Sequence, residues 1–112
     1  MEKTIKIHGH KIDFKTNGAF PRFYRLLNKR DIFADMQKLN GDDVLADGGI
    51  EVLEDVAFAM AKFANPKDKI TIEDWLAQFE TFDLFEIMPE LIAMWTDETE
   101  TSSEAKKKTE QV

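Results

Sequence analysis

Residues 79–95, FETFDLFEIMPELIAMW, place ten large apolar side chains in seventeen positions. They are Phe79, Phe82, Leu84, Phe85, Ile87, Met88, Leu91, Ile92, Met94 and Trp95. An ordinary amphipathic helix buries one stripe of about 100° or a little more. This stretch has too many apolar residues for one stripe. Leu84, Met88, Leu91 and Trp95 form one line at helical spacing, Phe85 and Ile92 widen it, and Ile87 and Met94 fall to the other side. Such a helix is either buried between two layers or shows part of its surface to a partner. Methionine and tryptophan in this surplus suit an adaptable interface. Asp83 is a candidate cap, and Pro89 either kinks one helix or starts a second after a short first turn.

The N-terminal residues follow a different period. In TIKIHGHKIDFK, Ile5 and Ile7 alternate with Thr4 and Lys6, and Ile12 and Phe14 alternate with Lys11, Asp13 and Lys15. Period-two patterning on both sides of a short glycine-containing break is a β-hairpin signal. A two-stranded sheet is not stable alone, so its apolar face must cover something.

Between these ends the pattern is helical. TNGAFPRFYRLLNKRD has Asn17 as a possible cap, Pro21 in an early turn, and Phe20, Phe23, Tyr24 and Leu27 on one face. Ile32, Met36 and Leu39 suggest a short amphipathic helix, followed by turn-like NGDD and DGG. Residues 50–64 should form the central helix, with a stripe through Ile50, Leu53, Val56, Ala57, Met60 and Phe63. It is apolar on most sides, which marks a buried helix, and Asn65-Pro66 ends it. A further helix through Trp75, Leu76 and Phe79 starts near Thr71 or Asp74, where Thr71-Ile72-Glu73-Asp74 resembles a capping box with Asp in place of Glu. The expected fold is α+β: an N-terminal β-hairpin packed on a bundle of three to four helices, in one domain over residues 1–96. Residues 97–112 lack aromatics and read as a disordered polar tail.

Chemistry is sparsely marked. There is no cysteine, so thiolate nucleophiles, thiolate metal sites and disulfides are excluded. His8 and His10 flank a glycine, but a zinc site needs a third ligand and none is marked out. Asp42, Asp43 and Asp47 do not have the spacing of a calcium loop. No phosphate loop or nucleophile–base pattern is present. The expectation is no enzyme, no cofactor, no metal and no membrane partner.

Charge is uneven. Residues 1–30 hold eight Lys/Arg against two acids, a net of +6, while the remainder carries −13 within an overall −7. Overall acidity argues against nucleic acid as a partner, although Arg22, Arg25, Lys29 and Arg30 make a basic helix face. The same asymmetry favours weak head-to-tail self-association through those four residues, giving rings or open helices.

The order of elements resembles the tail assembly chaperones of long-tailed phages and prophages of Gram-positive bacteria. The hairpin TIKIHGHKIDFKTN, the aromatic helix, the alanine-rich helix, EDWLAQF…DLFEIMPELIAMW and the lysine run of the tail carry that resemblance. It implies a non-enzymatic protein of the bacterial cytoplasm, absent from the mature virion. Its client would be the tape measure protein, with the major tail tube protein as a further candidate partner. Phe85, Met88, Ile92 and Trp95 are the candidate client-binding residues. Two other readings stand beside it: a small structural or adaptor subunit forming rings in the phage particle, and a small nucleic-acid-binding protein.

The resemblance also implies a short product and a longer one made by ribosomal frameshifting. Lysine codons are adenine-rich, so Lys106-Lys107-Lys108 matches what a slippery run would encode. Mass spectrometry of the protein expressed from its native gene context should then reveal a second product that shares the body and diverges near Lys106. A single product, with no overlapping downstream frame, ends that expectation.

Overall fold

The computed structural model describes residues 1–41 and 48–96. The loop holding Asp42, Asp43 and Asp47, and the tail from residue 97, lie outside the described residues. The hairpin is present as β1 (Glu2–Ile7) and β2 (His10–Lys15), antiparallel, with Ile5 opposite Ile12 and Lys3 opposite Phe14. His8 and Gly9 both have positive φ, 46° and 83°. That is the two-residue turn whose twist matches a hairpin. His8 and His10 therefore lie across a turn and not along one strand.

Among the described residues, five helices follow. They are α1 (Phe20–Asn28), α2 (Ile32–Leu39), α3 (Gly49–Ala64), α4 (Ile72–Leu76) and α5, residues 83–96. The expected α+β architecture is observed. The helix expected through Phe79 is α4, which stops at Leu76 after little more than one turn. Several helix starts follow local chemistry. Asp31 caps α2 by accepting from the Phe33 N–H, and Thr71 caps α4 by accepting from the Asp74 N–H. Asn17 does not cap α1 directly. Its side chain accepts from the Ala19 N–H, Ala19 stands at the cap position and Pro21 enters the first turn.

α3 is the central helix. It packs most densely on β2, then on α1 and α2, and more lightly on α4. Val52, Leu53, Val56, Ala57, Phe58, Ala59, Met60 and Ala61 are buried. The expected stripe needs two adjustments: Ile50 is exposed, and Phe63 is half-buried beneath Phe20 and Phe23 at 5.5 and 5.1 Å. Ile50 stands one residue into the helix, in its first turn. Trp75 anchors α4, edge-on to Phe58 at 5.6 Å and Phe79 at 4.8 Å.

α5 closes the sheet from the other side. Asp83 lies 3.0 Å from His8 and Glu90 lies 3.9 Å from Lys3, so α5 runs beside β1. The hairpin thus packs on α3 through β2 and is tied to α5 by Lys3 and His8. Asp83 does not cap α5 in the forward direction. Its carboxylate accepts back from the Glu80 N–H at 2.8 Å, and the Phe82 carbonyl accepts the first helical bonds, from Phe85 and Glu86. Pro89 neither starts nor ends a helix, because 83–96 is continuous through it.

These positions separate two stabilities. Met60→Ala, at a fully buried site, should cost about 2–5 kcal/mol. Ile50→Ala should cost about 0.5 kcal/mol or less. Urea denaturation of both variants checks the contrast, and equal costs would refute the central placement of α3.

Candidate functional site

α5 distributes its apolar residues over two adjacent lines. Leu84, Ile87, Leu91 and Met94 are buried in the common core. Phe85, Met88, Ile92 and Trp95 follow the same three–four–three spacing one position later. At 100° per residue the two lines together span an arc of about 180°. The first line is covered by the fold. The second is packed against the core but only partly buried, with some of its surface exposed. The four candidate client residues are thus brought onto one continuous line. Met88 and Trp95, grouped by spacing with Leu84 and Leu91, belong with Phe85 and Ile92 on this outer line, and Ile87 and Met94 belong to the inner one.

Two exposed aromatics extend the line at its ends. Phe82 is 69% exposed, with its ring 6.1 Å from Phe85. Phe33, at the start of α2, is 57% exposed and meets Trp95 edge-on at 5.2 Å. Neither was singled out as a site residue from sequence. The signal for Phe33 was its place off the Ile32–Met36–Leu39 stripe. The opposite flank of α5 turns to the hairpin, where buried Asp83 meets His8 and Glu90 meets Lys3. The surface is therefore an aromatic and methionine-bearing ridge. It can hold an apolar helix face or extended segment by burial.

The candidate self-association residues divide. Arg22, Arg25 and Lys29 are exposed on or just after α1. Arg30 is not part of that free face. Its Nε donates to Asp35 at 3.0 Å and its Nη2 to Asp55 at 2.7 Å. Nη2 also lies 3.3 Å from the Tyr24 hydroxyl, which itself donates to Asp35. This network ties α1, α2 and α3 together. Arg30 points inward because Lys29 turns the chain in the left-handed region, φ 60°.

Tyr24 titrates well above the ordinary tyrosine value, chiefly because it is buried, then because its hydroxyl bonds to and faces the Asp35 carboxylate; Arg30 opposes this. Arg30 is held more firmly protonated, chiefly by its bond to Asp55. Among the described residues, no group of three or more His, Asp or Glu side chains is placed to hold a metal, and no helix is long and apolar enough to cross a membrane. A cleft of about 180 Å³ between β2, α3 and α4 is lined by Lys11, Asp13, Lys62 and Asp68 above Phe58 and Trp75. Its charges are mixed in sign, which gives it no preference for one kind of ion. Comparison with protein-family models, with curated proteins and with solved structures gives no match.

The tyrosine supplies a pH test. Its folded-state pKa is raised, so the fold binds that proton more tightly than the unfolded chain does. The associated stability is present below the unfolded value near 10 and is lost as pH rises beyond it. Thermal unfolding should therefore show a steeper alkaline loss in the native protein than in Tyr24→Phe. Identical alkaline slopes would show that Tyr24 does not act this way.

Proposed function

We propose that the protein is a tail assembly chaperone of a long-tailed phage or prophage, holding the tape measure protein while the tail tube is built. It acts by binding and not by catalysis. It works in the bacterial cytoplasm and is absent from the finished virion. The observation that carries this reading is the half-exposed line Phe85, Met88, Ile92 and Trp95, continued by Phe82 and Phe33. A small acidic protein that leaves such a line open on a well-packed helix has a surface suited to an apolar client. Methionine and aromatic side chains adapt to successive segments of a long helical client without a unique register. The net charge of −7 keeps the unloaded protein soluble. The resemblance in element order supplies the client's identity, and the physical features support its mode of binding.

The test is co-expression with the tape measure protein encoded nearby, followed by co-purification. Ile92→Glu introduces a charge into the centre of the line and should weaken capture by about thirtyfold or more, the size of one interface hot spot. Ala93→Glu, at an exposed position on the same helix, should leave capture nearly unchanged. Capture that is indifferent to Ile92→Glu moves the client site off α5. Recovery of the protein in purified virions favours instead a permanent structural subunit.

A further inference from the structure

α1 presents a small apolar island ringed by cations. Leu26 is 60% exposed. Arg22, Arg25 and Lys29 lie three or four residues from it, or next to it, and are exposed. None of the three cations is in an ion pair among the described residues. Arg22 and Arg25 are three residues apart and Arg25 and Lys29 four apart, spacings at which like charges repel along a helix. Burying Leu26 beside carboxylates would relieve both the exposed apolar surface and the repulsion.

A surface of the opposite character exists elsewhere on the molecule. A cleft of about 280 Å³ opens where α3, the α4–α5 connection and α5 meet. Leu76, Phe79 and Leu84 line it together with Glu54 and Glu80. Neither carboxylate is in an ion pair among the described residues. Glu54 is half-buried, and its carboxyl titrates above the ordinary range, first because of burial and then because Asp55 and Glu51 add negative charge. The cleft is thus apolar with an excess of negative charge, and the island is apolar with an excess of positive charge.

We propose that the Leu26 island of one molecule docks in the Glu54–Glu80 cleft of a second copy. The two surfaces differ, so the contact is head-to-tail. Each bound pair keeps one free island and one free cleft, and growth leads to a ring or an open helix. The ion pairs are exposed and individually weak, so assembly depends on concentration and falls with salt. The contact does not depend on what occupies the α5 line.

Sedimentation velocity on the full chain tests it. The native protein should gain mass with concentration at low salt and lose it at high salt. Leu26→Glu and Glu80→Lys should each weaken association by about tenfold or more. Mixed in equal amounts, they should form a species of two chains and no larger one. In that pair the first variant supplies an intact cleft and the second an intact island. Glu54→Gln, which removes the like-charge strain without reversing charge, should also weaken assembly while unfolding at native or higher temperature. Native thermal unfolding of Leu26→Glu and Glu80→Lys confirms that they fold. A native protein that stays monomeric at both salts overturns the proposal. So do variants that assemble normally, or a mixture with no two-chain species. So does a monomer whose cleft instead takes a peptide bearing leucine between arginines. Capture of the tape measure protein should survive Leu26→Glu, so failure of this contact and failure of the client reading are distinguishable.

Discussion

Arg30 holds the helical half of the molecule in place. One guanidinium reaches Asp35 on α2 and Asp55 on α3, beside the hydroxyl of Tyr24 on α1. Asp35 is buried, and a buried carboxylate without a partner is costly. The three helices can therefore meet only in an arrangement that brings Arg30 to the junction. The position of α2 follows from this, and with it the position of Phe33 against Trp95. The polar network inside the fold thus sets where the outer apolar line of α5 ends.

The hairpin performs the complementary task. Two strands alone cannot hold α5, but β2 is fixed on α3, and Lys3 of β1 and His8 of the turn pair with the last helix. Because α5 is held along one side only, half of its apolar arc remains available. A third strand or a further helix on that side would have hidden the line. Among the described residues, every other element is already committed to the core or the hairpin, and none covers the line.

The parts legible in the sequence were those with a single dominant period. Ile5, Ile7, Ile12 and Phe14 announced the hairpin, and Leu53, Val56, Ala57 and Met60 announced a buried helix. α5 was legible as a helix but not in its orientation. An apolar arc of about 180° on a wheel of 100° per residue does not say which half turns inward; β1 and α3 decide that. Arg30 looked like one more cation beside Arg22 and Arg25. The clue to its different role lay in Asp35, an acid between Ile32 and Met36 on the stripe of α2, whose need for a partner is a tertiary fact. Pro89 left open a kink or a second helix start, and the helix is continuous through it, being already under way by residue 89.

The pairing of β1 with α5 also bears on synthesis. His8 meets Asp83 and Lys3 meets Glu90, so the first strand to leave the ribosome completes its packing only against the last described helix. The hairpin, α1 and α2 rest on short-range contacts and can form early; β1's second support cannot. During elongation Lys3 and His8 wait for these partners, and once α5 emerges it must choose between its own hairpin and the same hairpin of a neighbouring nascent chain. Chains translated close together on one message are thereby exposed to exchange of α5, a domain-swapped product that would retain every contact of the monomer.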